Sequence, residues 1–229
     1  MEVGVISDVH GNLPALKSVL DNLDERGVET ILYAGDFVGY YPRPNAVIRK
    51  MRKRNVRAVR GNHDEAVITG IPQDYRDTAI TTLNWTQKNL TRSSRKYLEQ
   101  LPIERVEKFG PITAEVVHGS PLNPLTEYIY PDDIDYRFAK ENLLRESDFL
   151  ILGHSHHQFV SQVGQTTVIN PGSVGQPRDG EDTAGYAVID TEYQAATVYR
   201  TEYDISKTQE GVRKNNLPKR LAKRLERGK

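Results

Sequence analysis

No cysteine occurs among the 229 residues, which excludes a disulfide framework, thiolate metal ligands and a cysteine nucleophile. The sequence also contains no run of about 18 apolar residues, the length that a membrane-spanning helix needs. Residues 1–7 offer no basic segment followed by an apolar one, so no signal peptide is expected. These absences predict a cytoplasmic protein with no membrane partner.

The sequence also lacks an excess of charge of either sign, because 31 Lys and Arg residues balance 31 Asp and Glu residues. A balanced charge gives no overall attraction to nucleic acid, which is therefore not expected as a partner. The length suffices for one sizeable core, and no internal repeat or low-complexity linker interrupts it. We predict a single domain over residues 1–229.

Short apolar runs alternate with helical patterns in the first half of the chain, which is typical of parallel β-α-β units. Strands are predicted at 3–7, 30–34 and 56–59, and helices at 13–26 and 45–53. The second half is richer in strands, which are predicted at 113–117, 149–152, 159–163, 167–169, 185–189 and 196–199, with a helix at 135–145. Two strand sets with helices outside predict an α/β fold, a four-layer sandwich of two sheets packed face to face.

Two segments depart from this pattern. Residues 74–100 have mostly helical periodicity, and they form either plain cover for the core or an inserted cap that lines a substrate site. The tail from Lys207 is basic, and its predicted helix at about 217–227 carries an apolar stripe of Leu217, Leu221 and Leu225. That helix either docks on the surface through its leucines or contacts RNA, an acidic partner or a second subunit of a homo-oligomer.

The histidines carry the functional signal, because each one lies in a loop just after a predicted strand: His10, His63, His118, His154, His156 and His157. Acidic and amide side chains share these loops: Asp8, Asp36, Asn62 and Asp64. Parallel sheets place ligand sites at the carboxyl ends of their strands, so these groups are expected to converge. Carboxylate, amide oxygen and imidazole suit divalent manganese, iron, zinc, cobalt and nickel. These residues are more than one ion needs, and they favour a pair of ions that shares a carboxylate.

Five motifs follow one another between about residues 3 and 190: Asp-x-His, Gly-Asp, Gly-Asn-His-Asp, His and Gly-His-x-His. In this order they resemble the calcineurin-like metallophosphoesterase family. Residues 7–12 and 170–178 further resemble small prokaryotic phosphodiesterases related to diadenosine tetraphosphatases. The resemblance implies two mixed sheets flanked by helices, which agrees with the strand pattern.

The resemblance also implies two divalent ions that share Asp36, with manganese favoured and iron, zinc, nickel and cobalt as alternatives. The first ion would be held by Asp8, His10, Asp36 and His156. The second ion would be held by Asp36, Asn62, His118 and His154. His157 extends the last motif and is not expected to be a ligand.

The same resemblance implies direct hydrolysis, in which a hydroxide bridging the metals attacks phosphorus in line. His63, oriented by Asp64, would protonate the leaving oxygen as a general acid, or it would only bind substrate. Asp64 would alternatively only structure its loop. Arg60 would hold phosphate oxygens together with Asn62 and His63, or it is an exposed loop arginine. Residues 170–178 form either a rigid turn or a loop that presents N–H groups or Arg178 to the site.

The expected substrate is a small phosphate ester or nucleotide, namely a phosphodiester or dinucleoside polyphosphate. Tyr40 and Tyr41 follow the Asp36 loop and would stack on a base, or they are plain surface aromatics. A phosphomonoesterase, including a serine/threonine protein phosphatase, is one alternative. Another is a non-catalytic interaction protein on the same fold. The non-catalytic retromer subunit lacks part of the ligand histidine set, whereas the set is complete here, which favours an enzyme.

Overall fold

A computed structural model describes residues 1–143 and 145–229 of the chain. The described residues form ten strands: β1 Glu2–Ile6, β2 Thr30–Tyr33, β3 Arg57–Ala58, β4 Glu104–Phe109, β5 Ile112–Val117, β6 Phe149–Ile151, β7 Gln158–Val163, β8 Thr166–Pro171, β9 Ala184–Asp190 and β10 Ala195–Thr201. They also form eight α-helices: α1 Leu13–Glu25, α2 Pro44–Lys53, α3 Asn62–Thr69, α4 Asp77–Asn89, α5 Arg92–Glu99, α6 Tyr136–Asn142, α7 Ile205–Lys214 and α8 Arg220–Leu225. Within the described ranges, none of these helices is long and apolar enough to cross a membrane.

The strands form two five-stranded mixed sheets, in the orders β10-β9-β1-β2-β3 and β4-β5-β6-β8-β7. In the first sheet β1 runs parallel to β2 and antiparallel to β9. In the second sheet β5, β6 and β8 are parallel, while β4 and β7 pair antiparallel at the two edges. The parallel strands of each sheet therefore end at one edge of that sheet.

The two sheets pack face to face through one buried apolar cluster. Val3 and Val5 of β1 lie in it with Ala114 and Val116 of β5 and Ile151 of β6. A second cluster packs α1 and α2 against the outer face of the first sheet, and a third packs α6 against the outer face of the second. The predicted four-layer sandwich of two mixed sheets is confirmed.

The sequence missed three elements: β4, α3 and α7. Strand β4 escaped prediction because charged residues fill an edge strand on which only Phe109 is buried. Helix α3 begins within the motif that contains Asn62, so ligand residues occupy its first turn. The helix predicted at 135–145 is observed over Tyr136–Asn142, and its predicted range includes residue 144, which lies outside the described residues.

The two segments that departed from the α/β pattern both pack on the core. Residues 74–100 contain α4 and α5, which bury Leu83 and Leu98 in the cluster outside the first sheet. The leucine stripe of the tail is also buried: Leu217, Leu221 and Leu225 are at most 5% exposed. The N–H of Gly180 donates to the carbonyl of Gly228, so the end of the chain is tied down beyond α8.

Candidate metal centre

The seven predicted ligands lie together at the carboxyl ends of strands from both sheets. Asp8 and His10 follow β1, Asp36 follows β2, and Asn62 opens α3 just beyond β3. The remaining three, His118, His154 and His156, follow β5 and β6. All seven are buried, and Asn62 is the most exposed at 8%.

A first group of donor atoms gathers around the carboxylate of Asp8. The Nε2 of His156 lies 3.2 Å from Oδ1 of Asp8, and Nε2 of His10 lies 3.7 Å from the same oxygen. The two Nε2 atoms are 3.1 Å apart. Three donors this close, two of them imidazole nitrogens, match the chemistry of a divalent metal site.

The carboxylate of Asp36 lies between this group and a second one. Its Oδ2 is 3.6 Å from Nε2 of His10 and 3.5 Å from Nε2 of His118. On the far side, Oδ1 of Asn62 lies 3.0 Å from Nε2 of His118. The ring of His154 lies 5.0 Å from that of His118. One oxygen of Asp36 therefore lies between histidine side chains of both groups.

Backbone carbonyls fix the tautomers of three of the histidines. The Nδ1 atoms of His10, His118 and His156 face the carbonyl oxygens of Val38, Ala34 and Gln176, respectively. A carbonyl only accepts, so each Nδ1 carries a proton. Burial lowers the pKa of His10 and of His156, so Nε2 of these two presents a lone pair to the centre. Lone pairs of His10 and His156 that face each other repel unless a cation lies between them.

The fourth histidine adds independent support for a bound cation. The Nε2 of His154 is buried, and no described residue gives it a hydrogen-bond partner. Its backbone N–H donates to Oδ2 of Asp8 at 3.1 Å, which ties the two groups together. A buried nitrogen without a partner is costly unless a ligand satisfies it, so the donor set fits divalent metal ions.

Five of the seven predicted ligands adopt a left-handed backbone conformation. Their φ angles are +55° for Asp8, +49° for His10, +65° for Asp36, +63° for His154 and +61° for His156. Non-glycine residues rarely adopt this region, and backbone strain of this kind concentrates at functional sites. The sharp turns that result let two ligands from one loop point to the same centre.

Glycine at position 61 makes room for the shared carboxylate. A Cβ atom at Gly61 would overlap Oδ1 of Asp36. That oxygen also accepts the N–H of His63 at 2.9 Å. The beginning of α3 therefore fixes the orientation of the Asp36 carboxylate.

The electrostatics of the centre couple Asp36 to His118. Burial alone would raise the pKa of Asp36, but His118 and His63 lower it well below its usual range. Burial alone would lower the pKa of His118, but Asp36 raises it to about 9. Without metal the two side chains thus form a buried ion pair, and a metal must displace the proton of His118.

Of the two roles predicted for Asp64, orienting His63 or structuring its loop, its contacts favour the second. Its carboxylate accepts four backbone N–H groups at 3.0–3.2 Å, from Asp36, Phe37, Val38 and Gly61. Among the described residues these backbone groups, and not the imidazole of His63, are its hydrogen-bond partners. Asp64 thereby anchors the loop that carries Asp36.

His63 lies beside the metal ligands and faces the cavity above them. Its ring centroid is 4.7 Å from that of His10 and 4.8 Å from that of Tyr40. Its Nδ1 is buried, and no described residue bonds to it. Burial lowers the pKa of His63 to about 4, so the free imidazole is neutral at pH 7.

The structure gives no support to the predicted phosphate-binding role of Arg60. The Nε of Arg60 lies 2.7 Å from Oε2 of Glu65, and Arg60 is not among the described residues that line the cavity. Arg178 occupies that wall, where its guanidinium donates to the Tyr40 hydroxyl and to Oε1 of Gln176, both at 3.3 Å. Of the two alternatives predicted for residues 170–178, a rigid turn or a loop that presents Arg178 to the site, the structure favours the second.

The predicted base-stacking tyrosines differ in their surroundings. Tyr41 is fully buried in the core, so the stacking prediction for it is wrong. Tyr40 lines the cavity, but its ring lies against His10 and His63. The sequence missed the exposed pair Tyr128 and Tyr130, whose rings are nearly parallel at 6.3 Å. Only their spacing, Tyr-x-Tyr, hinted at a shared face.

A cavity of about 820 Å³ opens above the centre. Asn62, His63 and His154 reach it from the metal centre, and Tyr128 and Tyr130 reach it from the loop before α6. The stretch before α4, around Tyr75, forms another wall. The inserted segment therefore both covers the core and lines the cavity, so the two alternatives for 74–100 are compatible.

Comparison with known proteins places this geometry in a family context. The model of the calcineurin-like phosphoesterase superfamily domain matches residues 1–194. An uncharacterized protein of Methanocaldococcus jannaschii, MJ0912, is 36% identical across 97% of this chain and 96% of its own length. Phosphodiesterase YfcE of Escherichia coli is 28% identical across 84% of this chain and 89% of its own. The crystal structure of a metallophosphoesterase from Sphaerobacter thermophilus superposes with a TM-score of 0.82 at 36% identity, covering 100% of this chain and 99% of that one.

Replacement of Asp64 tests its anchoring role. We expect Asp64→Ala to lower the free energy of unfolding by at least about 2 kcal/mol, because buried N–H groups without acceptors cost about 1–3 kcal/mol each. Metal affinity should fall as well, since the Asp36 loop loses its anchor. Denaturant unfolding and calorimetric titration measure the two effects, with Asp74→Ala, an exposed carboxylate, as the control. Unchanged stability and affinity would contradict the anchoring role.

The ion pair of Asp36 and His118 predicts pH-dependent metal uptake. Below a pKa of about 9 His118 holds a proton, which a metal must displace, so affinity should rise with pH. If one proton is displaced, the metal affinity increases about tenfold per pH unit. Calorimetry with Mn²⁺ between about pH 6 and pH 8, in buffers of different ionisation enthalpy, counts the protons released. An affinity that is flat over this range would refute the coupling.

Proposed function

Because this chain belongs to the calcineurin-like phosphoesterase superfamily, we propose that it hydrolyses a phosphodiester or a dinucleoside polyphosphate with two divalent metal ions. The chain is a metal-dependent phosphoester hydrolase. The proposal adds the number of metal ions, the roles of individual residues and the substrate.

The position of Asp36 is the observation that carries the two-metal proposal. One of its oxygens lies about equally far from a histidine of each donor group, at 3.6 Å from His10 and 3.5 Å from His118. A carboxylate shared in this way is the usual link in two-metal sites that serve phosphoryl transfer. The set of carboxylates, an amide oxygen and imidazoles suits manganese, with iron, zinc, nickel and cobalt as alternatives.

Each ion would have its own set of ligands apart from Asp36. The first would be held by Asp8, His10, Asp36 and His156. The second would be held by Asp36, Asn62, His118 and His154. When bound, such ions supply a water of lowered pKa and neutralise charge on the phosphoryl oxygens.

The protein's own residues would orient the ester above this centre. Tyr75 accepts a hydrogen bond from Nδ2 of Asn62 at 2.6 Å, which leaves Oδ1 of Asn62 turned towards His118. His63 faces the cavity with a buried, unbonded Nδ1. A phosphate anion beside it would raise its pKa from about 4, because an adjacent negative charge favours the protonated form. His63 would then donate its proton to the leaving oxygen.

The cavity favours a small ester over a folded protein as substrate. The centre lies at the base of walls formed by the segment before α4, the Tyr128 loop and α8. Tyr128 is 49% exposed, and its ring centroid lies 4.0 Å from that of His154, so a base attached to the phosphate would meet an aromatic surface. Base stacking of this kind contributes about 1–3 kcal/mol in nucleic-acid sites.

Metal content tests the two-metal proposal. We expect about two manganese ions per chain in reconstituted protein, measured by elemental analysis, because Asp36 is shared by both ligand sets. Asp36→Asn should lower occupancy of both sites, whereas His156→Ala should affect mainly one. His157→Ala, a change outside the ligand sets, is the matched control. Saturation at fewer than two ions would show that the centre is not dinuclear.

Replacement of His63 tests the general acid. We expect His63→Ala to retain both metals and to slow hydrolysis of an alkyl ester by about 10²–10⁴-fold, the usual contribution of a general acid. The loss should be much smaller for an aryl ester, whose leaving group needs little protonation. Steady-state kinetics on the two esters measures the difference. If the rates for the two esters fall equally, His63 is not the general acid. If the variant loses a metal ion, His63 is a metal ligand.

A further inference from the structure

The last helix, α8, lies beyond the part of the chain that the family model matches, residues 1–194, yet it forms part of the cavity wall. Arg220 and Arg224 line the cavity from this helix. They are four residues apart, so they lie on one helical face. Leu221 and Leu225 are buried against the core, which holds that face in place.

The arginines at this end of the cavity lack acidic partners. The ion pairs within the described part of the chain engage other arginines, such as Arg60 and Arg200, and none includes Arg178, Arg220 or Arg224. The Nε of Arg224 donates to the carbonyl oxygen of Lys229, which leaves its two terminal nitrogens for a ligand. The cavity lining contains one carboxylate among its described residues, that of the exposed Asp74. The wall therefore carries a clear excess of positive charge.

The positive charges are also held close enough to oppose one another. Burial lowers the pKa of Arg224, and the positive charge of Arg178 lowers it further. The Nε of Arg178 is buried, and no described residue bonds to it. Two guanidinium groups in this situation gain from an anion that pairs with both, and phosphate oxygens fit their planar donors well.

We propose that Arg220 and Arg224, together with Arg178, form a second anion subsite that binds phosphates of a polyphosphate chain beyond the one being cleaved. The subsite shares one cavity with His63 and His154 of the metal centre, so its occupant is a further part of the same substrate. This proposal rests on the proposed function and narrows it: the substrate carries a phosphoanhydride chain, as a dinucleoside polyphosphate does, rather than a single diester phosphate.

Two inorganic probes test the subsite by binding alone, on the full-length manganese-loaded protein. Orthophosphate needs only the metal centre, whereas tripolyphosphate also reaches the arginines. We expect Arg224→Gln to lower the ratio of tripolyphosphate to orthophosphate affinity by about 10- to 100-fold, the usual loss for a hydrogen bond between charged groups. Arg220→Gln should lower the ratio in the same direction. Calorimetric titration measures both affinities.

Lys223→Gln is the matched control, because Lys223 lies on the same helix, is exposed and does not line the cavity. It removes the same charge and should leave the affinity ratio within about twofold. An equal drop in Lys223→Gln would overturn the subsite in favour of general electrostatic attraction. An unchanged ratio in both arginine variants would overturn it directly. Thermal unfolding of each variant verifies that the fold is retained.

Turnover separates this inference from the proposed function. The ratio of kcat/KM for diadenosine tetraphosphate to kcat/KM for a bis-aryl phosphate should fall in Arg224→Gln by about as much as the binding ratio. If the unmodified protein hydrolyses neither ester, the proposed function fails, while the two-probe binding ratio still decides the subsite. If it hydrolyses both and Arg224→Gln leaves their ratio unchanged, the subsite fails alone.

Discussion

The buried carboxylate of Asp36 is the constraint around which the rest of the centre is arranged. Burial of a carboxylate costs several kcal/mol unless opposite charges and hydrogen bonds compensate it. Here the N–H of His63 bonds to one oxygen, His10 and His118 face the other, and the absence of a side chain at Gly61 leaves the space. These partners come from three segments, after β1, at the beginning of α3 and after β5, so the carboxylate requires that the three segments converge.

The loops converge because several of the predicted ligands adopt an unfavourable backbone conformation. Five of them hold φ angles between +49° and +65°, a region that costs non-glycine residues roughly 1–2 kcal/mol each. This conformation orients the side chains, because carbonyls of the neighbouring loops then fix Nδ1 of His10, His118 and His156. Ligands oriented before a metal arrives lose little entropy on binding it. The same carbonyls explain why the Nε2 lone pairs of His10 and His156 face inward even without a cation.

The parts of the molecule that follow from local pattern could be predicted from the sequence, and those that depend on contacts between distant segments could not. The strands that frame the centre and the loops that hold its ligands were visible as apolar runs followed by histidine and aspartate. Nothing local distinguishes Arg60 from Arg178, yet one pairs with Glu65 and the other reaches Tyr40, 138 residues away in sequence. Asp64 likewise looked like a partner of its neighbour, because its backbone partners at 36–38 become adjacent only in the folded chain.

The predicted metal ligands and the walls of the cavity come from different parts of this molecule. The donor atoms lie on loops that follow strands of the two packed sheets, so a substitution in these loops changes the metal centre. The cavity walls come from the segment before α4, the Tyr128 loop and α8, which rest on the core through a few apolar side chains such as Leu83 and Leu221. Changes to these outer segments leave the sheets intact. Helix α8, which follows the residues 1–194 that the family model matches, can therefore change the cavity wall while the loops of the predicted ligands stay the same.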